Sequence, residues 1–217
     1  MLCYNVKAMK IHREQIIDTA VSLLNRDGLE GVTLRKVAAE LHVHAGALYW
    51  HVRNKQDLLD EMANVLLLEQ FPQLEGPASE QHWSDWLREM CLRLRQAMLA
   101  HREGARVVAG ARFGRAIMLK QLVETIIGNL VAAGFSLRLA TLTYSTTFSY
   151  VYGFVIEEQA APDPDIISKK RDGLDESIVA AIFRENRANN YTPDMDFQEG
   201  LEMILDGVKQ RMMKQSL

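Results

Sequence analysis

The chain has 217 residues, 48% of them hydrophobic and 24% charged, with a formal net charge of -3. That is enough chain for one large globular domain or a small one beside a larger one, and the weak negative charge excludes a globally basic nucleic-acid binder. Contact with DNA would have to rest on a local basic patch. The two cysteines, Cys3 and Cys91, form neither a disulfide framework nor a CxxC metal pattern, which fits a reducing cytoplasm. The first residues have no apolar stretch after their charge and so make no signal peptide. Residues 1–8 read as a flexible extension, with Met9 as a second candidate start.

From about Lys10 the pattern is helical. Ile16, Ile17, Ala20, Val21, Leu23 and Leu24 share one broad apolar face. Asn25-Arg26-Asp27-Gly28 stops that helix, with Gly28 suited to a left-handed C-terminal position. Thr33 is a good N-cap, since its hydroxyl can accept a first-turn amide. Leu34, Val37, Ala38 and Leu41 then repeat at helical spacing, and His42-Val43 breaks the run. Ala45 and Leu48 are the apolar pair of a second helix of little more than two turns. A helix that short is not stable alone and must dock by those residues. The opposite face carries His44, Ala47, Tyr49 and His51, followed by Arg53 and Lys55. This is the layout of a helix-turn-helix, whose second helix enters the major groove. Between Gly31 and Gln56 stand Arg35, Lys36, Arg53 and Lys55 against Glu40 alone, which is a local basic patch. A solvated helix face is the plainer reading of the same charges.

Asn54 can cap a further helix, with Asp57 in the place of a capping-box acid, and Leu58, Leu59, Met62, Val65 and Leu66 carry it to about Gln70 before Phe71-Pro72. At this point the motifs Gly31-Val-Thr-Leu-Arg-Lys-Val-Ala38 and Leu48-Tyr-Trp-His-Val-Arg-Asn-Lys-Gln-Asp-Leu-Leu-Asp60 resemble the DNA-binding region of the tetracycline-repressor (TetR) family. The resemblance implies an all-α protein. Residues 9–60 would be a three-helix DNA-binding domain with the helix-turn-helix, and 61–217 a larger helical domain for ligand binding and dimerisation. It also implies DNA contacts, position by position. Thr33 and Arg35 match phosphate and base contacts at the start of the second helix. Ala45, Gly46 and Ala47 match the base-reading positions, and Tyr49, Trp50, His51 and Lys55 match residues on the phosphate backbone. Trp50 has two readings, packing between helices or contact with DNA. The chain departs from the family's tetracycline repressors at His42, where they carry a glycine. Its reading positions are also nearly without hydrogen-bonding groups, so they offer methyl contact to thymine and His44 takes part of the reading. His42 and His44 as metal ligands lack a further Cys or acid in register, and no metal or other cofactor is expected.

The rest of the chain is helical too. Trp83, Trp86, Leu87, Met90, Leu94 and Met98 form a stripe, Gly104 breaks it, and a short segment spans 105–111. Ile117, Leu122, Ile126, Ile127 and Leu130 mark a helix over about 115–133, and Ser136 caps the next. The helix from Leu137 to about Ala160 is apolar on most sides, which predicts burial all round; its Thr and Ser content argues against a membrane span. A loop at 161–172 is followed by a helix marked by Leu174, Ile178, Ile182 and Phe183. The last helix carries a seam of Phe197, Leu201, Ile204, Leu205, Val208 and Met212. The seam and the over-apolar helix call for a partner. In the family the matching helices of two subunits form a four-helix interface, so the expected partner is a second copy of this chain.

The resemblance continues through Ala97-Met-Leu-Ala-His-Arg-Glu-Gly-Ala-Arg106, Ala133-Gly-Phe-Ser-Leu137 and Gly153-x-Val-x-Glu-Glu-Gln159. It implies a ligand pocket with altered chemistry. The tetracycline repressors hold a magnesium chelate partly through a His and a Glu. Here the Glu is kept as Glu157, but Val108 stands for the His, Met90 for an Asn, Phe71 for another His and Glu124 for a Gln. Ala111-Arg112-Phe113 replaces a Thr-Arg-Pro turn. Phe71, Met90, Leu94, Val108 and Phe113 would suit a more apolar organic effector, with Arg112, Glu124 and Glu157 as its polar partners. Each apolar residue taken singly reads equally as core. The expected function is a cytoplasmic, homodimeric DNA-binding regulator. It would act as a repressor on a palindromic double-stranded operator and release it when a small molecule other than tetracycline binds. A regulator without an effector and a helical enzyme or carrier are the rivals. Against the enzyme, no Ser/His/Asp set or phosphate loop is present.

Overall fold

The computed structural model describes residues 11–161 and 178–215. The described residues are helical, without strands. The helices are α1 (Arg13–Asp27), α2 (Leu34–Glu40), α3 (Ala45–Leu48), α4 (Lys55–Gln70), α5 (Trp83–Leu99), α6 (Gly104–Ala109), α7 (Ile117–Ala132), α8 (Leu137–Ala160), α9 (Ile178–Asn189) and α10 (Pro193–Gln215), with a 3-10 turn at Leu29–Gly31. The all-α expectation holds. The flexible extension at 1–8, Cys3, Met9, the loop from 162 on and Leu174 lie outside the described residues.

The chain divides into two compact units. The first runs to Gln70 and adds Ala97–Lys120; the second takes Phe71–Gln96 and everything from Gln121. In the first unit α1 packs on α2 and α4, α3 on α2, and α4 on α6. The predicted α1 face is the core: Ile16, Ile17, Ala20, Leu23 and Leu24 are buried, with Leu58, Met62, Leu66 and Leu67 of α4. Asn54 Oδ1 accepts the Asp57 amide at 2.9 Å, so α4 has the expected cap. Asp57 does not close a capping box. Its carboxylate takes Arg112 instead, at 2.5 Å. Gly28 ends α1 at φ 76°, ψ 179°. That is not the left-handed helical position expected but a neighbouring region open to glycine almost alone.

In the second unit α8 packs on α10. Ser136 caps α8 by accepting the Leu139 amide at 3.3 Å, as expected. Trp83 meets Phe135 edge-on with ring centroids 4.8 Å apart. Arg95, itself buried, makes two bonds to Glu158 and one to Asp194 at 2.7 Å, tying α5 to α8 and α10. Three expectations need correction. The α8 helix is not buried all round, since Leu137 and Leu142 are exposed. The seam of α10 is not left wholly for a partner: Phe197, Leu201, Leu205 and Val208 are buried within their own chain, while Ile204 and Met212 of the same seam are half-buried. Ile117 stands on the solvent side of α7, 63% exposed. A helical repeat identifies a stripe but not which partner covers it, or where the stripe ends. Among the described residues no helix is long and apolar enough to cross a membrane.

Candidate nucleic-acid interface

The turn between α2 and α3 is built by local chemistry. Thr33 Oγ1 accepts the Lys36 amide at 3.2 Å and fixes where α2 begins. At its other end His42 adopts φ 55°. The His42 amide donates to Ala39 O at 3.1 Å and the Val43 amide to Ala38 O at 2.9 Å. This pair of reverse bonds is a Schellman closure, and its left-handed residue is the histidine that stands where the resemblance expects glycine. His44 is extended at φ -72°, ψ 136°, and α3 starts immediately after it.

The α3 helix is shorter than expected. Its α-helical part covers Ala45–Leu48, and the chain leaves it by a turn in which the His51 and Val52 amides both donate to Leu48 O at 2.9 Å. Leu48 is fully buried and Val52 nearly so, which pins the C-terminal end of the element and the turn after it inward. The face turned outward carries His44, Gly46, Tyr49 and Trp50, with Ala45, Ala47, Thr33 and His51 half-buried at its sides and Arg35, Arg53 and Lys55 exposed around it. Trp50 is 91% exposed and Tyr49 55%. Of its two readings, Trp50 is therefore not packed between helices. A Cβ built on Gly46 meets no atom within 4 Å. Packing does not require the small residue there.

The basic groups differ in how far they are committed. Lys36 lies 3.6 Å from Asp27, and Lys55 Nζ bonds Leu29 O at 3.3 Å. Arg26 bridges Asp27 and Glu40 at 2.9 and 2.7 Å. Its bond holds the Asp27 carboxyl below the usual range, against a smaller opposing effect of burial. Arg35 is exposed in the first turn of α2 and enters no such ion pair among the described residues.

Sequence reasoning missed a second set of residues that hold this element. The segment before α6 grips the link between α1 and α2. Asn25 Oδ1 accepts the Arg102 amide at 3.1 Å while its Nδ2 meets His101 Nδ1 at 3.2 Å. Arg102 Nη1 donates to Arg26 O at 2.9 Å. Glu103, itself at φ 53°, accepts the Leu29 amide at 2.6 Å. That bond, with help from Arg106 and against burial, keeps the Glu103 carboxyl below its ordinary range. Lower on α4, Asp60 is 1% exposed and accepts the Arg112 amide and guanidinium at 2.9 and 2.7 Å. Burial pushes its pKa up, but the bonds from Arg112 and Gln56 outweigh it and the net shift is downward. The sequence marks this segment through the motif Ala97–Arg106, but nothing in the motif says that it grips the end of α1.

The residues expected around an effector divide between the units. In the first, Val108 is buried, Arg112 is already spent on Asp57 and Asp60, and Phe113 is exposed. In the second, Phe71, Met90 and Leu94 are buried, with the Arg93 guanidinium 4.6 Å above the Phe71 ring, whereas Glu124 and Glu157 lie on exposed positions. Burial pushes the Cys91 thiol up to about 12, despite an opposing bond from Thr147. Among the described residues no group of three His, Cys, Asp or Glu could hold a metal ion.

Residues 16–62 match the domain family described as "Bacterial regulatory proteins, tetR family", and residues 76–212 match "Tetracyclin repressor-like, C-terminal domain". Over 205 residues the chain is 35% identical to tetracycline repressor protein class A from transposon 1721 of Escherichia coli, covering 93% of this chain and 92% of that one. It is 32% identical over 206 residues to the class G repressor of Vibrio anguillarum, covering 91% and 93%. Among solved structures it resembles TetR from Acinetobacter baumannii AYE, with TM-score 0.72 at 33% identity over 94% of this chain and 99% of that one. It also resembles BioQ bound to its natural double-stranded DNA operator, with TM-score 0.67 at 27% identity over 92% and 98%.

Proposed function

The chain belongs to the TetR family of bacterial transcriptional regulators, and from that premise we propose a ligand-released repressor whose α3 face reads a palindromic operator as a homodimer. One observation carries the reading: a four-residue helix anchored by buried Leu48 turns Gly46, Tyr49 and a bare Trp50 outward beside Arg35 and Lys55. Apolar anchors inside and exposed aromatic and basic groups outside are what a groove-docking helix needs. Thr33 and Arg35 are then phosphate and base contacts at the start of α2, Tyr49, Trp50, His51 and Lys55 are backbone contacts, and His44 with Ala45, Gly46 and Ala47 faces the base edges. Residues 9–60 serve DNA binding and 61–217 effector binding and dimerisation.

Pairing of two copies is supported by the α8 and α10 surface. Leu139, Leu142 and Thr143 of α8 line a groove with Met203, Ile204 and Val208 of α10. Leu142 and Met203 are exposed. A second copy of the same groove would cover the apolar surface, and the two-fold axis would set the recognition helices about one DNA turn, 34–36 Å, apart.

The effector is a small organic molecule other than tetracycline. The relatives named above are tetracycline repressors, and one solved neighbour is a variant of the Acinetobacter protein in complex with minocycline, at TM-score 0.74 and 33% identity. At the positions where the resemblance places the metal-binding histidine and its polar neighbours, this chain has Val108, Met90 and Phe71, and all three are buried. We infer a cytoplasmic regulator and no enzyme; membership of a family of transcriptional regulators supports that reading. Titration of the purified protein into duplexes selected from random sequence tests the proposal. A palindromic consensus bound by two chains supports it, and recovery of no consensus refutes it.

A further inference from the structure

A cleft lies at the C-terminal end of the recognition helix, lined in part by Tyr49, Trp50 and His51 and by Arg53 and Arg115. Its carboxylates already have cations. Arg13 Nη2 bonds Glu61 at 2.6 Å, and Arg112 holds Asp57 and Asp60 at 2.5 and 2.7 Å. Arg53 and Arg115 are left over. Among the described residues neither guanidinium makes a hydrogen bond or an ion pair, and Arg115 acts on Asp57 only through space. Two guanidinia with no partner, beside an indole that is 91% exposed, form a receptor for an anion that is not part of this chain.

The position says which anion. The base-reading positions are at the start of the recognition helix, so what lies past its other end meets the wall of the groove, which is phosphate and sugar. We propose that this cleft seats a backbone phosphate of the operator, with Arg53 and Arg115 as its two cationic arms. Arg53 comes from the motif segment, where it belongs to the expected basic patch without an assigned contact. Arg115 comes from the stretch after α6, far away in sequence, and nothing in the helix-turn-helix pattern points to it. The inference rests on the DNA-binding reading and adds a phosphate contact from outside the helix-turn-helix.

The test uses the full chain and a duplex selected by the wild-type protein. Affinity is measured by fluorescence anisotropy from low to moderate salt for wild type, Arg53→Gln, Arg115→Gln and the double variant. Arg187→Gln, an exposed change on α9, serves as the control for loss of one positive charge. Removing one cation from a phosphate lowers the slope of log affinity against log salt by about 0.9. The expected result is that fall for each single variant, about twice it for the double, and an unchanged ratio of selected to scrambled duplex affinity. Unfolding midpoints equal to wild type identify the change as one of binding. Slopes equal to wild type, a fall equally large in the Arg187 control, or a loss of sequence discrimination would each overturn the inference while leaving DNA binding intact. A wild-type protein that binds no duplex would overturn the DNA-binding reading, and this inference with it.

Discussion

The sharpest consequence concerns Leu48→Ala. The α3 helix has four residues, and Leu48 is the one among them that is fully buried. A helix that short has no independent stability, so its position depends on how Leu48 docks. Burying a leucine contributes about 1.5–3 kcal/mol, and truncating one in a packed core costs about 2.7–5 kcal/mol with the cavity included. Because α3 is small and otherwise half-buried, the chain can relieve that loss by releasing α3 instead of unfolding. A shift of about 2–3 kcal/mol lowers the docking equilibrium constant by roughly 30- to 150-fold, which sets the upper bound on the loss of apparent DNA affinity. Anisotropy with the selected duplex reads the affinity. Hydrogen exchange at the His51 and Val52 amides, which both donate to Leu48 O, reads the release. Gly46→Ala is the companion variant. Its Cβ meets open space and alanine favours a helix, so stability should hold or rise by roughly 0.5–1 kcal/mol while DNA affinity falls. An operator affinity for Leu48→Ala within twofold of wild type, with those amides still protected, would refute the reasoning.

Gly28→Ala should destabilise by about 1–3 kcal/mol in urea unfolding at fixed protein concentration, because φ 76°, ψ 179° is almost closed to other residues and the new Cβ would sit 2.6 Å from Glu103 Oε2. Asp60→Ala removes the buried acceptor of the Arg112 amide and guanidinium and should cost about 1–3 kcal/mol by the same assay. The pH dependence has a definite sign. The folded Asp60 pKa is lowered, so its contribution is complete above the unfolded value of about 3.9 and disappears as pH falls through the lower folded value. Asp60→Asn should therefore flatten the acid limb of the unfolding midpoint against pH. Magnesium with tetracycline should leave the protein on its operator at concentrations that empty a tetracycline repressor, since Val108 offers no ligand nitrogen; release in an anisotropy titration would contradict the altered pocket. Leu142→Asp with Met203→Asp should shift sedimentation toward a single chain and reduce operator affinity, with helix content retained.

Much of the architecture could be read from local chemistry. Thr33, Asn54 and Ser136 cap the helices they were expected to cap, because a hydroxyl or amide side chain acts within three residues of its own position. The buried faces of α1 and α5 follow from period alone. Local rules erred where a boundary or a partner is set from far away. Nothing in Ala45-Gly-Ala-Leu48 limits α3 to one turn; the turn that follows is set by Val52 burying alongside Leu48. The α10 seam was legible as apolar, but not that α8 of the same chain covers part of it. The bonds from Glu103 to Leu29 and from Arg112 to Asp60 join residues far apart in sequence, and no spacing rule reaches that far. Of the candidate site, the exposed aromatic and basic face was legible because a short amphipathic helix must leave one side out. The commitment of Arg112 to two carboxylates was not, since a lone arginine in a pattern does not reveal its partner.

The central claim is that the face around Trp50 reads DNA as one of a symmetric pair. Selection of bound duplexes from random sequence, with the stoichiometry of the winning complex measured by sedimentation, tests it most directly. The predicted result is an inverted repeat whose half-sites are about one helical turn apart, occupied by two chains and lost in Leu48→Ala. A single asymmetric half-site bound by one chain, or no enrichment over the starting pool, would contradict it.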